Sequence, residues 1–153
     1  MKTRKATKKD LEKLVYLSEK MTEFHSSFDP YYDIYTKYED IRKFFEEQLN
    51  KKNFLYVVTE NDKKEIVAFA SAKIISIPKT RAPKIGVLVE NFVLKEYRGK
   101  GVGLGQLGYR MKWFKNNKVK YVEMTVDARN KKALSLWKKQ GFENYQTKLK
   151  KTL

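Results

Sequence analysis

The sequence predicts a single α/β domain over residues 1–153, and three observations support that prediction. A chain of this length suits one compact domain, which removes roughly 70% of its unfolded surface from water. Short apolar runs typical of strands alternate with longer stretches in which apolar residues recur at helical spacing. No repeat, low-complexity tract or linker rich in Pro, Gly or Ser divides the chain.

The N-terminal half predicts a strand, two helices and a hairpin. A strand at 3–6 precedes a capping box at 7–10, which starts a helix that runs to about Phe24. After a turn at 29–32, a second capping box at 36–39 starts the next helix. A polar turn between two apolar runs then predicts the hairpin. The runs are 54–58 and 66–74, and the turn is 61–64.

The C-terminal half predicts strands and helices in alternation, after a basic loop at 78–84. Gly141 is placed to end the last helix. The expected elements are a strand at 87–94, a helix at 102–115, a strand at 121–126, a helix at 131–140 and a strand at 142–149. Six strands and four helices are therefore expected in the whole chain.

The numbers of Cys and His residues limit the kinds of metal and catalytic site that the chain can form. The chain has no Cys and one His, so the usual zinc, iron–sulfur and thiol-nucleophile sites cannot be built, and no metal is expected. No apolar stretch is long enough to cross a bilayer, and no apolar segment follows the basic start as in a signal peptide. A soluble, cytoplasmic protein with no membrane partner is the expectation.

Positive charge is concentrated in the second half. Residues 1–65 carry 14 basic and 13 acidic side chains, whereas residues 66–153 carry 20 basic and 5 acidic ones, within a formal charge of +16. Such an excess attracts polyanions, and with the interspersed Tyr and Trp residues it would suit a nucleic-acid-binding module. No RNP, KH or helix-turn-helix signature accompanies it. A lysine-rich surface of the kind common in thermophiles is the other explanation.

Glycine placement is the sharpest signal in the chain. Five of the seven glycines lie within ten residues, between a predicted strand and an amphipathic helix. They are Gly99, Gly101, Gly103, Gly105 and Gly108. Each helical Gly costs about 1 kcal/mol relative to Ala, so the cluster needs a reason such as positive φ or close approach of a ligand. Exposed N–H groups at the helix start, with Arg98 and Lys100 beside them, predict a phosphate-binding loop.

Two nucleotide-binding motifs do not fit this loop. A Walker A sequence is absent, and the Gly-x-Gly-x-x-Gly match at 103–108 lies inside the helix, where that fingerprint cannot work. The loop resembles the acetyl-coenzyme A loop of the GNAT N-acetyltransferase superfamily, whose pattern is Arg or Gln, two residues, Gly, any residue, then Gly or Ala. Arg98, Gly101 and Gly103 fill that pattern. Residues 130–142 resemble the second signature of the family, and the order of the elements also matches.

This resemblance implies a GNAT-like fold, with a central mixed and twisted sheet of six to seven strands flanked by about four helices. It also implies acetyl-CoA as cosubstrate. In similar proteins the pyrophosphate lies on the loop amides, and the pantetheine arm bonds to strand four where strands four and five diverge. The implied cofactor-binding residues are Phe92, Val93, Leu94, Arg98, Gly99, Lys100, Gly101, Val102, Gly103, Leu104, Asn130, Ala133 and Trp137. Similar proteins are often dimers, so a homodimer is one expectation.

Glu90 is the predicted general base. Its alternation with Leu88, Phe92 and Leu94 on one strand face predicts poor solvation, and desolvation raises the pKa of a carboxyl group toward the range where it can accept a proton. Several GNAT enzymes have Glu at this position, which agrees with that role. A solvated or hydrogen-bonded strand Glu is the structural alternative. The backbone N–H near Phe92 or Val93 is the candidate oxyanion donor.

One residue departs from the family pattern. Many members have a Tyr seven residues after the Asn, where it protonates the leaving thiolate. This chain has Trp137 there, and the indole N–H is far too weak an acid to replace Tyr. Tyr145, Tyr109, water and the acceptor ammonium are the remaining proton sources.

The acceptor is expected to be a primary amine that attacks acetyl-CoA directly in a ternary complex. Residues 19–47 carry eight acidic and four basic side chains, which would attract a small cationic amine. His25, Tyr31 and Tyr32 are predicted to line its site. A protein N-terminus or a lysine side chain is the alternative acceptor, and solvated helix faces are the structural explanation of the acidic residues.

Overall fold

A five-stranded mixed sheet forms the centre of the computed structural model, which describes residues 1–29 and 37–151. The strands are β1 (Lys2–Lys5), β2 (Phe54–Glu60), β3 (Ile66–Ser76), β4 (Lys84–Val93) and β5 (Tyr121–Met124), and they lie in that order. Neighbours pair antiparallel except β4 and β5, which are parallel. The helices are α1 (Leu11–Ser26), α2 (Tyr38–Leu49), α3 (Val102–Asn116) and α4 (Lys131–Lys139).

The predicted sixth strand at 142–149 is wrong, and so is the expected sheet of six to seven strands. Phe142 is used at the end of α4: its N–H donates to the Trp137 carbonyl, and its ring packs on the Trp137 ring with centroids 5.7 Å apart. Gly141 has φ of 84° and completes this Schellman-type turn. Between Phe142 and residue 151, the last one described, the large apolar side chains are Tyr145 and Leu149, and they are 81% and 88% exposed. They bury too little area to hold an edge strand against β5.

Helices cover both faces of the sheet, and we call the apolar residues buried under α1 and α2 the α1 cluster and those under α3 and α4 the α3 cluster. On one face α1 and α2 pack on the sheet, with Leu14 and Phe45 beside Tyr56 and Phe69. The opposite face carries α3 and α4, and there Phe114 and other residues of the two helices cover Ala72 and Leu88 of the strands. Apolar residues alternate between the two faces of β2 and β3. Tyr56, Val58 and Phe69 face α1 and α2, whereas Leu55, Val57 and Ala70 are buried on the other face against Trp113 of α3, so both strands are buried on both sides.

The predicted capping box at 7–10 is present. The Thr7 backbone N–H donates to Asp10 Oδ2 at 2.7 Å, and a single 3-10 turn, Lys8–Asp10, leads into α1. Arg4 of β1 holds the same carboxyl group through two hydrogen bonds of 2.8 and 2.9 Å, so the strand and the helix start are joined. The second predicted capping box and the turn at 29–32 fall partly on residues outside the described ranges. Within those ranges, no helix has the length and apolar character that a membrane span requires.

Candidate active site

Strands β4 and β5, the last two strands of the sheet, diverge partway along β4. Their parallel pairing runs from Ile85 opposite Tyr121 to Leu88 opposite Met124. β4 then continues through residues 89–93, which have no β5 partner among the described residues. The gap leaves the backbone of this part of β4 open on one side, as the resemblance implied for a pantetheine arm.

A β-bulge lies where the gap begins. Ala70 pairs with Asn91 and Ala72 pairs with Leu88, so the two residues 89 and 90 of β4 face the single residue Ser71 of β3. Because of the extra residue, each side chain after the bulge lies on the opposite face of the sheet from the one that regular alternation would give. Leu88 therefore packs in the α3 cluster, and Phe92 packs in the α1 cluster. The prediction that Leu88, Glu90 and Phe92 share one face is wrong for Leu88.

Glu90 lies on this bulge with its carboxyl group turned toward β3. Its Oε2 accepts a hydrogen bond of 2.5 Å from Ser71 Oγ. The Tyr56 hydroxyl is buried nearby without a hydrogen bond of ordinary geometry, yet it is close enough to lower the pKa of Glu90. Desolvation is the larger effect, and the pKa of Glu90 is raised overall above the ordinary value of a glutamate, despite the opposing effects of Ser71 and Tyr56. A carboxylate in this state accepts a proton more readily than a solvated one.

The β4 backbone divides its polar groups between β3 and the gap. The Leu94 N–H donates to the Val67 carbonyl of β3 at 3.0 Å. Because backbone groups alternate along an antiparallel ladder, Phe92 also faces β3, while Asn91 and Val93 face the gap. Of the two predicted oxyanion donors, the Val93 N–H therefore has the suitable direction. The Leu94 N–H is engaged by β3 and cannot serve a ligand without losing that bond.

The glycine loop leads into the first turn of α3. Gly99 and Gly101 both have φ of 77°, and a Cβ at either position would meet nothing within 4 Å, so backbone conformation alone favours glycine there. The Gly105 N–H donates to the Gly101 carbonyl, which leaves the N–H groups of 102–104 at the open end of the helix. Free N–H groups together with the positive end of a helix dipole are an arrangement that can bind an anion.

The first turn of α3 lies next to the gap. A Cβ on Gly103 would be 3.8 Å from Nδ2 of Asn91, the residue whose backbone faces the gap. Arg98 turns back toward β4: its Nε donates to the Val93 carbonyl at 2.8 Å, and its guanidinium lies over the rings of Phe24 and Phe92. Lys100 is exposed, with its Nζ 5.3 Å from the centre of the Tyr97 ring. The start of α3 and the open edge of β4 are thus neighbours.

The α4 residues of the predicted site have local roles. Asn130 is the N-cap of α4, and its side chain accepts a hydrogen bond of 3.1 Å from the Ala133 N–H. Trp137 is buried in the same cluster as Leu88 and Phe114, beneath the start of the gap. Its indole therefore forms part of the apolar surface on that side of the sheet.

Comparison with known proteins decides the family. A model of the Acetyltransferase (GNAT) family matches residues 18–142. The chain belongs to the GNAT family. A curated, uncharacterized N-acetyltransferase of Methanocaldococcus jannaschii is 28% identical over 140 residues, which are 92% of this chain and 59% of that protein. The chain therefore spans less than two thirds of that GNAT relative.

Solved structures share the GNAT fold with this chain. A tetramutant of a Bacillus halodurans protein superposes with a TM-score of 0.89 at 17% identity, over the full length of both chains. An aminoglycoside 6'-N-acetyltransferase of Acinetobacter haemolyticus gives a TM-score of 0.78 at 16% identity, over 100% of this chain and 98% of that one. At such identities the similarity shows the fold.

The predicted acceptor residues are only partly described. Tyr31 and Tyr32 lie outside the described residues. His25 is on the last turns of α1 and is half-buried, and desolvation lowers its pKa against the opposing charge of Asp127. Asp127, after β5, pairs with Arg129 at 2.7 Å, and Arg129 also pairs with Asp29, three residues after the end of α1. In this GNAT domain, α1 and the loop after β5 therefore meet through charged groups.

Sequence reasoning missed the polar residues around the bulge. Ser71 and Tyr56 adjoin Glu90, and Arg110 of α3 is fully buried against the bulge. Ser71 interrupts the apolar run 66–72, and Arg110 lies three residues after Leu107 and four before Phe114. A polar residue at the spacing of a buried face was the signal that could have found them.

Proposed function

We propose that the chain is an N-acetyltransferase that moves the acetyl group of acetyl-CoA to a primary amine in a ternary complex. The observation that carries this proposal is the position of Glu90. Glu90, whose desolvated carboxyl group has a raised pKa, lies on the bulge where the β4–β5 gap begins, and the open start of α3 is next to that gap. A base, an open strand edge and a phosphate site in this order match what acetyl transfer from a long, phosphorylated thioester requires.

The chain's own residues fit acetyl-CoA. The N–H groups of 102–104, with the Gly99 and Gly101 conformations that expose them, would hold the pyrophosphate. The backbone groups of Asn91, which face the gap, would hold the pantetheine arm. Bound there, acetyl-CoA supplies an activated acetyl thioester. The Val93 N–H would donate to the acyl oxygen and stabilise the negative charge that develops on it.

Glu90 would remove the proton that keeps the acceptor amine unreactive. An ammonium group must lose a proton before its nitrogen has a free electron pair, and a carboxylate of raised pKa accepts that proton more readily than an ordinary one. The hydrogen bond from Ser71 fixes one carboxyl oxygen, which leaves the other available to the amine or to a bridging water. Glu90 thereby acts as a positioned base.

Water or the acceptor ammonium would supply the proton for the leaving thiolate. Trp137 cannot, because its indole is too weak an acid and is buried in the α3 cluster. Tyr109 is 38% exposed on α3, and Tyr145 is largely solvated after α4. Neither tyrosine contacts the groups that surround Glu90 among the described hydrogen bonds.

The acceptor class that we propose is a small cationic amine. The acidic excess of residues 19–47 favours a cation near α1 and α2. The fold neighbour from Acinetobacter haemolyticus is an aminoglycoside acetyltransferase, and aminoglycosides are cationic amines of this kind. A protein N-terminus or lysine is the competing acceptor class that the same assay tests.

Release of free CoA, measured with a thiol reagent, tests the proposal. Acetyl-CoA is incubated with the chain and a panel of polyamines, aminoglycosides, amino acids, peptides and basic proteins. Because the chain has no Cys, the protein contributes no thiol background. We expect release with small cationic amines and intersecting initial-rate lines, as a ternary complex requires. Acetyl-CoA binding without release from any member of the panel would refute the proposed activity.

Glu90→Gln is the matched test of the base. Glutamine keeps the shape and can still accept from Ser71, but it cannot accept a proton. We expect kcat to fall by about 10²- to 10⁴-fold, the usual contribution of a general base, while acetyl-CoA binding stays close to that of the original chain. Unchanged kcat would remove Glu90 from the mechanism.

A further inference from the structure

Arg110 is a buried cation that the proposed reaction does not use. It lies on the sheet-facing side of α3 and is fully buried. Its partners among the described residues are oxygens of neutral groups. Nε donates to the Gln106 carbonyl at 3.2 Å, Nη1 donates to the Ser71 and Glu90 carbonyls at 3.2 and 3.1 Å, and Nη2 donates to Asn91 Oδ1 at 2.5 Å.

Burying a guanidinium group costs free energy of desolvation, so the contacts of Arg110 need a physical explanation. Burial lowers the pKa of Arg110 to about 10, which still leaves the guanidinium charged at neutral pH. An apolar side chain at this place in α3 would pack on the sheet with no desolvation cost. What an apolar side chain could not do is donate to the carbonyls of the β-bulge.

Two of those carbonyls belong to the residues that form the bulge. Ser71 is the β3 residue opposite the extra residue, and Glu90 is one of the two β4 residues that face it. A bulge disrupts the local ladder and leaves backbone groups without their usual partners. A buried carbonyl in that state costs free energy unless another donor reaches it. Arg110 reaches both carbonyls with a single nitrogen.

We propose that Arg110 is a positioning residue, which fixes the bulge and thereby holds the Glu90 carboxyl group against Ser71 at the mouth of the gap. The inference rests on the proposed function, because it concerns the group that acts as base there. The bond from Nη2 to Asn91 extends the same role to the residue whose backbone faces the gap.

The test compares Arg110→Met with Gln106→Leu. Both changes replace a fully buried polar side chain of α3, one turn apart, with an apolar one of similar size. The Gln106 amide has no hydrogen-bond partner among the described residues, so its loss leaves the bulge intact. We expect kcat of Arg110→Met to fall by up to about 10²-fold, as for a catalytic group displaced by about 1 Å. Gln106→Leu should retain full kcat, and Arg110→Lys, which keeps one donor group, should recover part of the loss.

The pKa of Glu90, measured by carbon NMR of the carboxyl group, separates positioning from stability. If the bulge relaxes in Arg110→Met, the carboxyl group gains solvent, and its pKa falls toward the ordinary value. Loss of a nearby positive charge alone would move that pKa upward, so the direction identifies the cause. A pKa that is unchanged or higher in Arg110→Met would overturn the proposal.

A double variant completes the test. If Arg110 acts through Glu90, Arg110→Met should lower kcat little further once Glu90→Gln is present. Fully additive losses, or an equal loss in Gln106→Leu, would contradict the positioning role. If the original chain releases no CoA with any acceptor, the proposed function fails, and the NMR measurement still decides whether Arg110 holds Glu90.

Discussion

Gly86→Ala should destabilise the domain by overpacking, and the structure gives the size of the effect. Gly86 lies on β4 opposite Val122 of β5. A Cβ added there would lie 2.6, 2.7 and 2.8 Å from three ring atoms of Phe114. Non-bonded carbon atoms prefer about 3.5–4.0 Å, so each of the three approaches is too short by roughly 1 Å.

Phe114 has no room to withdraw. Its side chain is 1% exposed, and its ring lies 5.2 Å from the Trp113 ring, centre to centre. Overpacking in such a core costs about 1–3 kcal/mol. For a domain of this size, each kcal/mol lowers Tm by about 2–4 °C, so a cost near the middle of that range predicts a loss of about 4–8 °C.

Thermal and urea unfolding of four variants would measure the effect. Gly108→Ala is the matched control, because a Cβ at this exposed helical position meets nothing within 4 Å. Gly86→Ala, Phe114→Leu and the double variant form a cycle in which the smaller leucine relieves the contact. We expect Phe114→Leu to cost clearly less in the Gly86→Ala background than alone. Equal Tm for Gly86→Ala and the original chain, or strict additivity in the cycle, would refute the reasoning.

Three further predictions concern the site and its loop. Burial raises the pKa of Glu90 in the folded state, so the folded chain loses stability as pH rises from the ordinary pKa of a glutamate to that raised pKa. Glu90→Gln should therefore unfold at higher urea than the original chain at pH 8. The gain in free energy of unfolding should be about 1.4 kcal/mol for each pH unit by which the two pKa values differ, and it should vanish below pH 4. Ser71→Ala removes a bond that lowers the pKa of Glu90, so the acidic limb of the kcat profile should move to higher pH; a limb that does not move would contradict the assigned contact. Gly101→Ala places a side chain at φ of 77°, which should lower the free energy of unfolding by about 1–2 kcal/mol. It should also weaken acetyl-CoA binding, measured by calorimetry. Gly108→Ala is the control, which should stabilise α3 by about 1 kcal/mol and leave binding unchanged.

The helices and the glycine loop could be predicted because their signals are local. The capping box depends only on two nearby residues, Thr7 and Asp10. The helical pattern of α3 is equally local, because Leu107, Met111 and Phe114 lie four and then three residues apart. The same holds for Gly99 and Gly101, whose positive φ follows from the sharp entry into α3. These parts of the site need no knowledge of distant partners.

The bulge could not be predicted, because it depends on strand pairing. Nothing near Glu90 in sequence shows that two residues face Ser71, 19 positions earlier in the chain. Arg110 was hidden among 20 basic residues of the second half, although its place on the buried face of α3 distinguishes it. Phe142 has strand character, but its role at the end of α4 removes it from the sheet.

Helix α4 packs on the sheet through few buried side chains, and this affects how a ligand can enter the β4–β5 gap. Trp137 is the single buried residue of this nine-residue helix, all of which the structure describes. A helix of that length has little stability on its own. Undocking one indole would therefore release the whole element as a local unfolding unit and widen one side of the β4–β5 gap. Tryptophan emission and amide exchange of 131–139 should report that opening well below the temperature of global unfolding, and occupancy of the gap should suppress it.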